Sequence, residues 1–266
     1  GEMIKVAHVA APLPSLYTDL RAGEMILFDD GKIEGQIESV SQDEIQIKIT
    51  HARQEGDKLK SEKGINLPQS NLRLRGLTSK DKEDLRFVVR QADIINMSFV
   101  NEPEDIQELL EEMESCGVER KPGIIIKIET QKGVVNLPGI LIKAMQHCPV
   151  GVMIARGDLA VECGWNHLAE VQEEILRICE AAHIPNVWAT QVLESVAKKG
   201  RPSRAEISDA ASAQRAECVM LNKGPYILEA IRILKEILHS MQAHQDKKAP
   251  MLPVLKVPQI FNVSGD

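Results

Sequence analysis

Ile124-Ile125-Ile126-Lys127-Ile128-Glu129 is a short apolar run that ends in charge, and its reading decides the fold. Side chains along a strand alternate between faces, so Ile124, Ile126 and Ile128 share one face while Ile125, Lys127 and Glu129 share the other. Four further apolar runs lie outward from it, at residues 94–100, 150–154, 187–189 and 218–221. Ile94, Ile124, Val152, Val187 and Val219 are separated by 30, 28, 35 and 32 residues, close to the ~30 residues of a βα unit. Parallel strands joined by crossover helices are the natural reading. Between the first two runs, Ile106, Leu109, Leu110 and Met113 fall at helical spacing, with Pro103 near the start and Gly117 as terminator. Ser203 and Glu206 have capping-box spacing and predict a helix start just before Ile207.

Five such units fill residues 76–244, whereas an eight-stranded barrel takes ~250 residues, about 31 per unit. The sheet is therefore open, or the chain is a piece of a barrel. Upstream the rhythm is different. Residues 44–50 alternate strictly, with Ile45, Ile47 and Ile49 on one face, which predicts a half-exposed strand. Residues 25–28 and 32–40 flank Asp29-Asp30-Gly31, where positive φ angles suit a hairpin turn. The chain thus divides into a small β domain over residues 1–70, a βα segment over 71–244, and a tail or linker over 245–266 that carries Pro250, Pro253 and Pro258.

Composition narrows the function classes. The 266 residues are 43% hydrophobic and 27% charged, with no apolar run near the length a membrane span requires, so a membrane protein is excluded. A net charge of −7 argues against a general nucleic-acid binder, which needs a basic stripe to neutralise phosphates. The five cysteines, Cys116, Cys148, Cys163, Cys179 and Cys218, form no C-x-x-C pair. They read as reduced, mostly buried thiols of a cytoplasmic protein. The opening Gly1-Glu2-Met3 leaves room for a start further upstream.

In parallel α/β proteins the chemistry lies beyond the carboxyl ends of the strands. There stand Ser98, Lys127 with Glu129, Arg156 with Asp158, Thr190 and Asn222. A structural ion pair is the plain alternative for Lys127 and Glu129. Two charges at one strand end nevertheless tilt toward a site, because burying charge is costly without compensation. Arg156-Gly157-Asp158 could equally be a solvated turn, and Thr190 alone a core threonine. The seven histidines show no metal-ligand spacing.

Taken together, Lys127-Ile128-Glu129, residues 154–159 (Ile-Ala-Arg-Gly-Asp-Leu), Ala189-Thr190-Gln191 with Leu193-Glu194-Ser195, and residues 204–209 (Arg-Ala-Glu-Ile-Ser-Asp) resemble pyruvate kinase in order and spacing. Upstream, Asp29-Asp30-Gly31, residues 63–68, residues 77–81 with Asp84-Leu85, and Ser98-Phe99-Val100 extend the resemblance to about residues 15–240. It implies an α/β fold with a TIM-type (β/α)8 barrel, here incomplete at five βα units, and a small all-β lid at the N-terminus. It further implies transfer of the phosphoryl group of phosphoenolpyruvate to ADP, giving pyruvate and ATP, with Mg²⁺ or Mn²⁺ and K⁺. By motif, Glu129 and Asp158 hold the divalent ion, and Lys127 lies against the transferring phosphoryl group. Ala155, Arg156, Gly157 and Asp158 receive the substrate carboxylate through their backbone, Thr190 binds substrate and helps deliver a proton, and Ser98 belongs to the K⁺ site. A homo-oligomer is implied for the complete protein.

The resemblance has gaps. The chain starts inside the lid, so the first three barrel strands and the C-terminal regulatory domain have no counterpart. At the last strand the family usually continues Met-Leu-Ser-Gly-Glu-Thr, whereas here Met220-Leu221 leads straight into Asn222-Lys223-Gly224-Pro225-Tyr226. Little or no kinase activity is therefore expected from this chain alone, together with exposed apolar edges that favour self-association. A metal-dependent pyruvate-enolate lyase or aldolase on the same barrel is one rival reading, and a non-catalytic metabolite-binding protein is another.

Overall fold

A computed structural model describes residues 8–10, 16–61, 63–70, 72, 76–146 and 149–245. Residues 1–3, Cys148 and the proline-bearing stretch from residue 246 onward lie outside the described residues. The chain forms two compact units, residues 1–74 and 75–266.

The first unit contains a one-turn helix, α1 (Leu16–Asp19), and strands β1 (Met25–Phe28), β2 (Ile33–Val40), β3 (Ile45–His51) and β4 (Ile65–Asn66). The strands pair antiparallel in the order β3-β2-β1-β4. Alternation places Ile26, Phe28, Ile33 and Ile37 in one small core with Leu20 and Leu67. Ile45 and Ile47 of β3 pack against it, while Ile49 stays exposed. Between β1 and β2, Asp29, Asp30 and Gly31 all have positive φ, at 50°, 58° and 77°. The Asp29 carboxylate is held by Lys63 at 2.8 Å and Lys32 at 3.0 Å. Hydrogen bonds from those two cations keep its carboxyl below the usual range.

The second unit alternates helix and strand: α2 (Ser79–Gln91), β5 (Ile94–Met97), α3 (Pro103–Ser115), β6 (Gly123–Ile128), α4 (Gln131–Ala144), β7 (Val150–Ala155), α5 (Arg156–Cys163), α6 (Leu168–Ala181), β8 (Asn186–Val192), α7 (Glu194–Lys199), α8 (Arg204–Ser212), β9 (Cys218–Leu221) and α9 (Ile227–Gln245). The five strands pair in parallel, in sequence order from β5 to β9. This is an α/β fold, as the spacing of the apolar runs predicts.

Local chemistry accounts for the helix ends. Thr78 with Asp81 closes a capping box on α2, and Ser203 with Glu206 does so on α8. Pro103 opens α3, where its missing N–H is no loss. Gly117, just beyond α3, takes φ 63°.

The two faces of the sheet differ. Ile124, Ile126 and Ile128, with Val152 and Ile154, pack into the large core that also holds Ile106, Leu109 and Met113 of α3 and Leu137 and Ile140 of α4. Each such side chain contributes about 1.5–3 kcal/mol by leaving water. The opposite face carries a smaller apolar cluster of Met153, Val187 and Ala189, against which Ile125 and Met220 pack. Polar groups gather at the carboxyl ends of the strands, beside that second cluster.

Two boundaries differ from the sequence reading. The run at residues 94–100 is strand only to Met97, because Phe99 turns to φ 53°. The run at 187–189 extends to Asn186–Val192, with an irregular register between Trp188 and Val192. Among the described cysteines, Cys163 and Cys179 are buried, Cys116 is half-buried and Cys218 is exposed. No described helix is long and apolar enough to cross a membrane.

Candidate active site

Strand ends β5 to β9 surround a cavity of about 300 Å³ lined by Asn96, Ser98, Lys127, Glu129, Met153, Ala155, Asp158, Thr190 and Met220. Its lining combines apolar methionines with hydroxyls, a lysine and two carboxylates. The strand period explains the selection. Asn96 and Ser98, and likewise Lys127 and Glu129, stand two residues apart, so each pair leans to the same face.

Lys127 and Glu129 form the centre. The Lys127 ammonium donates to Glu129 Oε1 at 2.7 Å and to Ser98 Oγ at 2.9 Å. Glu129 Oε2 accepts from the Phe99 backbone N–H at 2.6 Å, which the positive φ of Phe99 accompanies. The Glu129 side chain is only 3% exposed and that of Lys127 is 25% exposed. A buried carboxylate is thus compensated by one cation and one amide. An ammonium carries three N–H bonds, and among the described residues Ser98 and Glu129 accept two of them.

Helix α5 begins at Arg156, directly after β7, so its first-turn amides lie beside the cavity-lining Ala155. Such a terminus favours negative charge. The Gly157 N–H donates to Thr190 Oγ1 at 2.8 Å, which ties the helix start to the end of β8. Thr190 and Gln191 take φ of 67° and 58°, within the irregular stretch of β8.

The Arg156 side chain turns away from this cluster. Its Nε donates to the Ala189 carbonyl at 2.9 Å, its other nitrogens bind the Thr190 carbonyl and the Asp209 carboxylate, and its guanidinium lies 4.7 Å over the Trp188 ring. Asn222 does not line the cavity, and its amide faces Glu194 Oε1 at 3.4 Å. Ser98, Lys127, Glu129, Ala155, Asp158 and Thr190 therefore come together, Gly157 joins through its amide, and Arg156 contributes by its place in the backbone. Sequence reasoning passed over Asn96, Met153, Met220 and Asp209. Alternation from Ser98 and from the β7 run would have found the first two. Asp209 closes the 204–209 motif, but nothing in the sequence ties it to Arg156, its partner 53 residues away.

Among the described residues no group of three or more His, Cys, Asp or Glu could enclose a metal. Two carboxylates on one cavity, with room left for water and substrate oxygens, nevertheless fit Mg²⁺, which seldom has an all-protein cage.

A parallel sheet that carries a lysine, carboxylates and a helix N-terminus at its carboxyl edge marks the chain as an α/β protein with its polar groups gathered at one end of the strands. Residues 3–231 match the family described as "Pyruvate kinase, barrel domain", and the chain belongs to the pyruvate kinase family. Pyruvate kinases of Staphylococcus aureus strains USA300, COL and MRSA252 are each 36% identical to it over an alignment 243 positions long, which covers 88% of this chain and 40% of theirs. The chain spans about two fifths of the length of these curated relatives.

Proposed function

We propose that this cavity is a pyruvate-kinase-type phosphotransfer centre, which moves the phosphoryl group of phosphoenolpyruvate to ADP. The observation that carries the proposal is that Ser98, Lys127, Glu129, Ala155, Asp158 and Thr190 line one cavity. Family membership and the 36% identity to pyruvate kinases support it. In the same proposal, residues 1–70 are the lid domain, 71–244 a segment of a (β/α)8 barrel, and 245–266 a tail.

The substrate carboxylate is received at the amino end of α5, where the helix terminus favours an anion, although the Gly157 N–H is itself given to Thr190 Oγ1 at 2.8 Å. Glu129 and Asp158 would hold Mg²⁺, which supplies positive charge to substrate oxygens when bound. Lys127 stands beside them and stabilises charge that grows as the bridging P–O bond breaks and the phosphoryl group passes to an ADP oxygen. The enolate left behind takes a proton at its terminal carbon to become pyruvate, and the Thr190 hydroxyl orders the water that delivers it. K⁺ is the second cation of the proposal, with Ser98 as its candidate ligand. The Ser98 hydroxyl already accepts from Lys127, so no step is assigned to K⁺.

Exchange of the pyruvate methyl protons in D2O, followed by NMR, tests the centre because it needs the divalent ion, Lys127 and Thr190 but no nucleotide. Mg²⁺-dependent exchange is expected. ADP-dependent consumption of phosphoenolpyruvate, even if slow, separates this reading from the lyase or aldolase. Exchange with no dependence of phosphoenolpyruvate loss on ADP favours the lyase, and binding without exchange favours a metabolite-binding protein.

A further inference from the structure

We propose that Asp209 is a positioning residue for Thr190: acting through Arg156, it holds the left-handed backbone at Thr190 and so sets the Thr190 hydroxyl against the start of α5. This rests on the reading of Thr190 as the group that guides the enolate proton.

Threonine is β-branched and resists positive φ, yet Thr190 sits at 67° and is followed by Gln191 at 58° and Leu193 at 46°. Such a run persists only where surrounding contacts determine it. The Arg156 guanidinium supplies those contacts, with Nε on the Ala189 carbonyl and a terminal nitrogen on the Thr190 carbonyl. These two carbonyls belong to the peptide planes on either side of the Thr190 Cα. One rigid fork bound to both planes fixes φ and ψ between them. The next residue along from Arg156, Gly157, donates its N–H to Thr190 Oγ1 at 2.8 Å. Main chain and side chain of Thr190 are therefore both gripped by the first two residues of α5.

The fork itself must be aimed. Arg156 is 9% exposed, and a cation so placed takes its orientation from its counter-ion. That counter-ion is Asp209 on α8, which also accepts from Trp188 Nε1 at 3.3 Å. The Trp188 ring, 4.7 Å from the guanidinium carbon, supports the opposite side. Asp209 does not line the cavity. Its influence on chemistry thus passes through Arg156 to Thr190, and its loss should reach proton delivery while leaving the metal carboxylates in place.

The test uses Asp209→Asn, which keeps shape and removes charge, with Asp209→Ala as a second variant. Glu206→Gln is the control, since it weakens the cap of the same helix without touching Arg156. A left-handed residue gives a strong intraresidue amide-to-Hα NOE, expected at Thr190 in the wild type and in Glu206→Gln, and diminished in both Asp209 variants. Pyruvate methyl-proton exchange should fall about tenfold or more in Asp209→Asn, because a small misplacement of a reacting group is enough. Pyruvate-enhanced Mn²⁺ binding should stay within about threefold of wild type in the same variant. Thr190→Val should lower exchange too, and Thr190→Val combined with Asp209→Asn should be no slower than Thr190→Val alone. A wild-type NOE with wild-type exchange in Asp209→Asn overturns the proposal, as does an additive loss in the double variant. Should Thr190→Val, or the wild type itself, show that exchange does not depend on Thr190, the reading of Thr190 fails, and the NOE alone decides whether Asp209 holds the backbone.

Discussion

Replacing Lys127 by methionine keeps most of the stem and removes the ammonium, and the surroundings of Glu129 set the consequence. The Glu129 carboxylate is 3% exposed and has one donor on each oxygen, Lys127 at 2.7 Å and the Phe99 amide at 2.6 Å. Loss of a charge-assisted hydrogen bond costs about 1.5–3 kcal/mol, and stranding a fully buried charge costs about 3–5 kcal/mol. Lys127 is itself 25% exposed and the Phe99 amide remains, so a loss of about 2–3 kcal/mol is expected, in the lower part of that range. At about 2–4 °C per kcal/mol for a domain of this size, the midpoint of thermal unfolding should drop by roughly 5–10 °C. Urea unfolding in EDTA, followed by fluorescence, measures this cleanly because both tryptophans, Trp165 and Trp188, belong to the second unit. In Lys127→Met/Glu129→Gln the carboxylate charge is gone, and most of the Lys127→Met loss should be recovered. The cycle should yield a coupling of about 1.5–2.5 kcal/mol, whereas a value under about 0.5 kcal/mol would mean that Lys127 does not compensate the Glu129 charge. Lys127→Met should also slow pyruvate proton exchange by ~10², about 3 kcal/mol, with less effect on pyruvate binding.

Burial alone would raise the Glu206 carboxyl, but hydrogen bonds from Ser203 and Ser195 outweigh it and hold the group below its ordinary value. That stabilisation is complete above the unfolded carboxyl's pKa and disappears as pH falls through the lower folded value. Glu206→Gln should therefore cost about 1 kcal/mol at pH 7, with the gap from wild type closing below about pH 4 in urea titrations. Burial pushes the Cys163 and Cys179 thiols up to about 12, so mass spectrometry after brief native alkylation at pH 7.5 should find label on the exposed Cys218 and none on those two. A methyl group on Gly133 would lie 2.6 Å from the Val100 carbonyl oxygen. Gly133→Ala should cost about 1–3 kcal/mol in stability, through backbone shifts next to Ser98 and Phe99, with an unchanged midpoint counting against this packing.

Buried parallel strands advertise themselves as apolar runs, which is why all five were legible at their ~30-residue spacing. The same rule misled at residues 98–100. Val100 is fully buried but belongs to the turn after β5, and apolarity cannot distinguish those two kinds of burial. The facing of Lys127 and Glu129 followed from the strand period alone. Arg156 was legible only as a residue type at a strand end, because the direction of its side chain depends on Asp209 and Trp188 from other elements. The positive φ angles at Phe99, Thr190 and Gln191 left no trace either, since none of these residues is glycine. Such strained positions are where local propensity and site geometry disagree.

In the proposed centre Glu129 and Asp158 hold one divalent ion together, and substrate completes its shell. Lys127 offsets only one of the two carboxylates on the cavity, so an anionic substrate would still meet negative charge unless a further cation stood there. Mn²⁺ titration by water-proton relaxation, with and without pyruvate, measures this directly. Weak binding to the protein alone should tighten about tenfold or more with pyruvate, since two carboxylates leave most of an octahedron to water and substrate oxygens. Glu129→Gln and Asp158→Asn should each abolish that tightening, while Glu112→Gln, whose partner is Lys82 on α2, should leave it intact. Wild-type tightening in both amide variants would show that neither carboxylate holds the ion, and would return Glu129 to a structural ion pair with Lys127.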